Sequence, residues 1–275
     1  MKIHKPDASH IPALRLLWKE GFGDTDAFLD TFFKTAFSPE RCRIATIDNS
    51  VVAMLYWFDC SYNNKRIAYV YAVATALSFR GQGMCRQLMK DTHVHLKKLG
   101  YEGAILVPGS TALFDFYGSM GYCSCCNIDQ LQCSCSTQDY NSCHSLEDKC
   151  HISSTTNTID LIKIDKLQYA RLRRDFLPKG GVIQEKENLD FLETQADFYM
   201  GENLLLVARV ENDTLQGIEL LGNASTAPAI AYTLGCSTGI FRIPGNSKPF
   251  AMYLSLTDND SDNRIPPSYF AFAFD

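Results

Sequence analysis

Hydrophobic residues recur along the chain at two spacings, and the change from one to the other predicts where helices give way to strands. Ile11, Leu14, Leu17 and Trp18 repeat at helical intervals over Ala8–Glu20. Phe28, Phe32, Phe33 and Phe37 make a second helical stripe. Its aromatics read first as core and second as the lining of a small-molecule pocket. From Arg41 the pattern is that of a hairpin, with a strand over Arg43–Ile47, turn chemistry at Asp48-Asn49-Ser50 and a return strand over Val51–Phe58. A second turn, Tyr62-Asn63-Asn64-Lys65, leads into Arg66–Thr75, which is apolar enough to predict a central strand.

Ser78–Arg86 is a turn punctuated by glycine. Leu88, Thr92, Leu96 and Leu99 then return to helical spacing, and Gly100 ends that helix. Ala104–Val107 predicts a short buried strand. Pro108-Gly109-Ser110 breaks it and opens a helix over Thr111–Ser119, closed by Gly121. Tyr122–Cys126 and Asp129–Cys135 predict a pair of strands. Residues 136–155, rich in Ser, Thr, Asn and Asp, predict a linker.

The remainder repeats this grammar weakly. Lys163-Ile164-Asp165 and Leu172-Arg173 echo Lys5-Pro6-Asp7 and Leu14-Arg15 at one common offset. Leu204–Glu219, with its Glu211-Asn212-Asp213 turn, echoes the hairpin over Arg43–Tyr56. No counterpart of the glycine turn follows. Strands are predicted over Ile230–Thr233, Gly239–Ile243 and Phe250–Leu256. The chain closes on Tyr269-Phe270-Ala271-Phe272-Ala273-Phe274-Asp275, which reads as a buried tail.

Composition narrows the function classes. A chain of 275 residues can form one or two domains with a real core. A run of about 18 apolar residues is absent, so no membrane helix and no membrane partner are expected. Met1–Leu17 carries Pro6, Asp7 and Pro12 where a signal peptide needs an apolar run, which predicts a cytoplasmic protein. A net charge of −5 and the lack of a basic block argue against nucleic acid and suit a cationic small molecule. Of the 11 cysteines, Cys123, Cys125, Cys126, Cys133, Cys135, Cys143 and Cys150 crowd one short window. An odd total in a reducing compartment speaks against a disulfide framework. The Cys-x-Cys spacing also misses the usual zinc pairs, so no metal is expected and burial as small hydrophobes is. A cysteine-rich metal-binding protein stays open as a lesser reading. His93 and His95 are expected to be solvated.

The chemistry concentrates in Val73-Ala74-Thr75-Ala76-Leu77-Ser78-Phe79-Arg80-Gly81-Gln82-Gly83-Met84-Cys85-Arg86. A strand runs into a Gly-x-Gly turn and then into a helix start, whose open N–H groups and positive dipole end can hold a pyrophosphate. Gly81 and Gly83 spare the backbone a Cβ, and Arg80 and Arg86 add positive charge. A Walker loop is excluded because Met84-Cys85 follows Gly83. The dinucleotide fingerprint is excluded because Arg86 holds its third position. A second piece, Phe116-Tyr117-Gly118-Ser119-Met120-Gly121-Tyr122, follows one further strand.

This order of strand, Arg-Gly-x-Gly turn, helix, strand, and helix with Phe-Tyr resembles the GNAT superfamily of acyl-CoA N-acyltransferases over roughly residues 1–135. The resemblance implies an α/β (α+β) fold, a mixed sheet flanked by helices. It implies that acyl-CoA wedges between the fourth and fifth strands. Val73, Ala74 and Thr75 would pair with the pantetheine arm and polarise the thioester carbonyl. Gly81, Gln82, Gly83, Met84, Cys85 and Arg86, with Arg80 beside them, would wrap the pyrophosphate, and Ser110 would lie near the donor. Cys85 departs from the family's usual glycine or alanine but is small. Tyr117 falls at the family's general-acid position. A phenol there could return a proton to the leaving thiolate, against the plainer reading of a core tyrosine.

Arg66–Thr75 has no carboxylate, so the base would be water held by Tyr69 or Tyr71, or a carboxylate from elsewhere. The chain also resembles, more loosely, the enhanced-intracellular-survival type of acetyltransferase, in which a second GNAT-like unit follows and the C-terminal carboxylate reaches the active site. Asp275, with two carboxyls, is the corresponding candidate, against the reading of an ordinary terminus. The resulting expectation is a catalytic domain over residues 1–135, a linker over 136–155 and a smaller degenerate GNAT-like or sterol-carrier-like domain over 156–275. Its activity would be transfer of an acetyl group from acetyl-CoA to an amine of a small molecule or peptide. The alternative is a non-catalytic CoA-binding or lipid- or protein-binding carrier module.

Overall fold

The computed structural model describes residues 1–134, 143–145, 158–257 and 265–274. β1 (Lys2–His4) leads to α1 (Ile11–Phe22). Asp7 holds the entry to that helix, its carboxylate accepting the Ser9 N–H at 2.8 Å. α1 stops at Gly23, which takes the left-handed φ of 77°. α2 (Asp26–Thr35) starts from Thr25, whose hydroxyl accepts the Phe28 N–H at 3.2 Å. β2 (Cys42–Ile47), β3 (Ser50–Tyr62) and β4 (Lys65–Thr75) form a meander. Its turns are Asp48-Asn49 and Asn63-Asn64, all four residues at positive φ. Such two-residue turns match the twist of the flanking strands, and Asn and Asp tolerate the left-handed conformation. α3 (Met84–Lys98), β5 (Gly103–Leu106), α4 (Thr111–Gly118) and β6 (Cys123–Ser134) follow.

β7 (Cys143–Ser145), β8 (Ile162–Ile164), α5 (Lys166–Phe176), β9 (Ile183–Gln184) and α6 (Glu187–Leu192) come next. Asp165 caps α5 by accepting the N–H groups of Leu167 and Gln168, each at 2.8 Å. It thereby does for α5 what Asp7 does before α1. The chain then forms β10 (Asp197–Gly201), β11 (Leu204–Glu211), β12 (Thr214–Gly222), α7 (Ala227–Thr233), β13 (Thr238–Pro244) and β14 (Lys248–Ser255).

Three expectations are corrected. β6 is one strand rather than two, because nothing between Cys126 and Asp129 turns the chain. Ile230–Thr233 is helical: Pro228 opens α7, and Ala227, Ile230 and Ala231 bury one helical face. The β11–β12 hairpin with its Asn212-Asp213 turn corresponds by strand order to β3–β4, one strand further on than the echoed hairpin.

The residues divide into two compact units. Unit 1 takes Met1–Cys125, Val182–Phe191 and Ala251–Pro267, and unit 2 takes Cys126–Gly181, Leu192–Phe250 and Ser268–Asp275. The sheet of unit 1 has the order β1-β2-β3-β4-β5-β14, with β9 added to the end of β3. β4 and β5 are parallel there, and its other neighbouring strands run antiparallel among the described residues. The sheet of unit 2 has the order β8-β10-β11-β12-β13-β6, and among the described residues β12 and β13 are parallel and the other neighbours antiparallel. The first five strands of both sheets thus share order and direction. Each sheet takes its sixth strand from the stretch that follows the other's fifth.

Alternation along β3 separates two cores in unit 1. Leu55 and Trp57 join Leu88, Met89 and Leu96 of α3 in one cluster. Tyr56 and Phe58 face the helices α1 and α2, with the Phe32 ring 5.1 Å from Tyr56 and 4.5 Å from Trp18. In unit 2, Leu204, Leu206 and Leu215 pack with Ala227 and Ile230 of α7. Among the described residues, no helix is long and apolar enough to cross a membrane.

Candidate active site

The site grows from an irregularity in β4. Two residues of β4, Ala72 and Val73, face Leu55 alone, since Met54 pairs with Ala74 and Tyr56 with Tyr71. Ala72 carries the bulge at a φ of 51°. The extra residue shifts the side-chain phase. Tyr71 lies toward α1, its ring 5.6 Å from Trp18, while Val73 packs with the α3 core. β4 and β5 pair only through Ile67↔Gly103, Ala68↔Ala104 and Tyr69↔Ile105. Beyond Tyr69 the two strands part, and among the described residues Val73, Ala74 and Thr75 have no strand partner on the β5 side.

The glycine turn follows directly. Gly81 and Gly83 sit at φ of 75° and 79°, which disfavours any residue with a Cβ. A Cβ at Gly81 would meet nothing within 4 Å, so backbone conformation, not crowding by the protein, demands the glycine. Gly83 is the N-cap of α3, and no side chain caps that helix. Its first N–H groups, on Met84, Cys85 and Arg86, therefore lie open at the positive end of the dipole. Gln82 folds over the turn to donate to the Ser78 carbonyl at 2.9 Å.

The two arginines are placed differently. Arg80 is exposed and folds back, its Nε donating to the Thr75 carbonyl at 3.0 Å. Arg86 reaches α4, donating to the Ser119 carbonyl at 3.0 Å and to its hydroxyl at 2.7 Å. Its guanidinium thus sits at the negative end of α4 rather than over the glycine turn. Ser110, the N-cap of α4, is exposed and its side chain makes no capping bond.

Tyr117 lies in the last turn of α4 and is 7 % exposed. No hydrogen-bond partner of its hydroxyl occurs among the described residues. Burial, reinforced by the neighbouring Cys85 thiol, pushes its phenol well above the ordinary range, so it stays protonated. Burial likewise pushes Cys85 up to about 11, which keeps it a thiol. Tyr117 packs edge-on against Tyr122 at 5.9 Å, and the Tyr122 hydroxyl bonds His93 Nε2 at 2.9 Å. His93 is therefore not solvated. Burial lowers its pKa to about 4, and the imidazole is neutral.

Sequence reasoning passed over three residues here. The Glu20 carboxylate accepts the Leu77 N–H just beyond β4. Asp24 accepts the Trp18 indole N–H at 2.7 Å, which puts a carboxylate beside the Trp18 ring, and that ring packs against Phe28 and Tyr71. Ala72 sets the bulge. None announces itself, because single acids in helices are common and an apolar run hides a change of phase. Asp275 lies outside the described residues, as do most of residues 135–157, with Cys135 and Cys150. The tail before Asp275 belongs to unit 2 and is buried from Tyr269 to Phe274. Cys42, Cys60, Cys85, Cys123, Cys125, Cys126, Cys133 and Cys236 are thiols. Among the described residues no three His, Cys, Asp or Glu stand close enough to hold a metal.

Known proteins resemble this arrangement. Residues 2–124 match the model of the acetyltransferase (GNAT) domain. The fold of the whole chain is similar to that of a GCN5-related N-acetyltransferase from Anabaena variabilis, at a TM-score of 0.69 and 12 % identity, over 93 % of this chain and 73 % of that one. A GCN5-related N-acetyltransferase from Kribbella flavida is similar at 0.67 and 13 %, over 92 % and 70 %. Eis1 from Mycobacterium abscessus is similar at 0.67 and 9 %, over 93 % and 74 %. No curated protein matches the chain by sequence.

Proposed function

From the premise that residues 2–124 make this chain an acyltransferase of the GNAT type, we propose that it moves an acetyl group from acetyl-CoA to a primary amine by direct attack. The observation that carries the reading is the parting of β4 and β5 after Tyr69↔Ile105, immediately before the uncapped start of α3. The pantetheine arm enters that gap along Val73, Ala74 and Thr75. The pyrophosphate lies on the turn Gly81-Gln82-Gly83 and the N–H groups of Met84, Cys85 and Arg86. Arg80 and Ser110 border it. Arg86 acts through its backbone, since its side chain holds Ser119.

The amine nitrogen attacks the thioester carbonyl carbon, and the carbonyl oxygen takes the negative charge. Backbone N–H groups of the Val73–Thr75 edge stabilise it. The C–S bond breaks and CoA leaves as thiolate, which takes its proton from the Tyr117 hydroxyl, while the attacking nitrogen gives up one proton to water and water returns one to the phenolate. Burial holds that phenol protonated. The acceptor is a cationic amine with an apolar body, recognised by the Trp18, Phe28 and Tyr71 rings and the Asp24 carboxylate.

The test is CoA release from acetyl-CoA across amino acids, polyamines, aminoglycosides and peptides. CoA is measured by chromatography, because the cysteines of the protein would react with thiol reagents. Tyr117→Phe should lower kcat about 10²-fold or more with acetyl-CoA binding unchanged. Full turnover in that variant overturns the acid. Acetyl-CoA binding without release across the panel favours the carrier reading.

A further inference from the structure

We propose that Glu20, near the end of α1, is a positioning residue for acetyl transfer, a role that rests on the donor site read for unit 1. There acetyl-CoA is held at two places, the edge Val73–Thr75 and the turn Gly81-Gln82-Gly83. Five residues, Ala76 to Arg80, join the two. Their path decides whether the thioester and the pyrophosphate reach both places at once. A misplacement of about 1 Å is enough to slow a reaction of oriented groups about 10²-fold.

The joining residues make one tight turn over Leu77–Phe79. Phe79 donates its N–H to the Ala76 carbonyl at 2.8 Å, and Arg80 Nε returns to the Thr75 carbonyl at 3.0 Å. Pairing with β3 stops just before that turn, at Ala53↔Thr75 and the Ala76 N–H bond to the Val52 carbonyl at 2.9 Å. The next amide, that of Leu77, opens the turn, and the cap residue Ala76 has no side chain to accept it. Glu20 provides the acceptor from a different element, α1. Leu77 and Glu20 are both exposed, so water could satisfy the same amide. The bond therefore contributes little to stability, and what it gives the chain is a fixed place.

Two further contacts lead α1 up to that point. The Trp18 ring lies 5.6 Å from Tyr71, just before the bulge. Gly21 approaches Ala74 so closely that an added Cβ would stand 3.2 Å from the Ala74 Cβ. α1 thus backs the part of β4 that β5 leaves after Tyr69↔Ile105, and Glu20 carries that support past the end of the strand.

Acetyl-CoA is the probe, titrated calorimetrically into the full chain, beside steady-state CoA release with the best amine of the panel. Glu20→Ala should weaken acetyl-CoA about fivefold and lower kcat about tenfold, at an unchanged melting temperature. Glu20→Gln keeps an oxygen for the Leu77 N–H and should recover most of both. The proposal is overturned if Glu20→Ala binds and turns over like the wild type, or if its losses come only with a lower melting temperature. It is also overturned if Glu20→Gln is as poor as Glu20→Ala, since charge and not position would then be the cause. A wild type that binds no acetyl-CoA overturns the donor site itself, and the role of Glu20 with it, whereas a wild type that binds beside an unaffected Glu20→Ala overturns the role alone.

Discussion

Both units contain a parallel strand pair that parts, and they use the gap in opposite ways. In unit 1, β4 and β5 separate after Tyr69↔Ile105, and a glycine turn and an uncapped helix stand beside the opening. In unit 2, β12 and β13 separate after Gly217↔Phe241. There Glu219 projects onto Arg173, which donates to it through Nε at 2.7 Å and Nη2 at 2.9 Å, and onto the Tyr169 hydroxyl. The Phe272 ring lies 4.6 Å from that guanidinium. Arg242, just past the parting, holds the Ala271 carbonyl. The turn after β12 satisfies itself, with Asn223 accepting from the Ser225 N–H and hydroxyl. The same strand order therefore leads to two outcomes: beside its parting, unit 1 has an uncapped helix start, where unit 2 has a buried internal ion pair and its own tail.

The largest expected effect tests whether that filling is structural alone. Arg173→Met leaves Glu219 buried without its cation and should cost about 3–5 kcal/mol in urea unfolding. Arg173→Met with Glu219→Leu should recover most of the loss. Acetyl-CoA KM of the folded protein should not move. A changed KM would erase the contrast between the units.

A second test uses the neutral imidazole of unit 1. The folded pKa of His93, about 4, lies below its ordinary 6.5, so the unfolded chain takes up the proton first. The resulting stability is complete above pH 6.5, falls as pH drops toward 4, and changes no further below that. The loss is at most about 3 kcal/mol. His93→Gln should flatten that part of the profile in thermal melts taken across the pH range. An unchanged profile would mean that other groups cause the slope.

The smallest effects compare two left-handed glycines. Gly83→Ala should cost about 1–2 kcal/mol in strain and raise acetyl-CoA KM about tenfold. Gly222, at a φ of 88°, follows β12, and a Cβ there would run into the Asn203 carbonyl. Gly222→Ala should lose at least as much stability with KM unchanged. Equal KM effects would make the two turns equivalent and break the comparison.

Local chemistry made part of this architecture legible in advance. Asp48-Asn49, Asn63-Asn64 and Asn212-Asp213 mark their turns because few other residue pairs accept two left-handed conformations. Gly81 and Gly83 could be singled out because the left-handed backbone at the start of one helix calls for glycine. The bulge at Ala72 was hidden, since Tyr71, Ala72 and Val73 are all apolar and a slipped phase leaves no polar mark. β6 was divided in two because its cysteines pass for either face of a strand. The pairing of β5 with β14 and of β13 with β6 could not be read at all, because pairing across more than a hundred residues leaves no periodic trace.

The exchange of sixth strands also sets a timetable for synthesis. β5 ends at Leu106, but β14, which covers its edge, ends at Ser255. At roughly 5–20 residues per second, a ribosome needs about 8 to 30 s to deliver that strand after β5 has emerged. Through that interval the nascent catalytic sheet holds a bare, apolar edge, the kind of surface on which strands from other chains add. The protein is thus most exposed to aggregation before it is complete, and a chaperone that shelters β5 until the last strand arrives would raise its yield more than any gain in final stability.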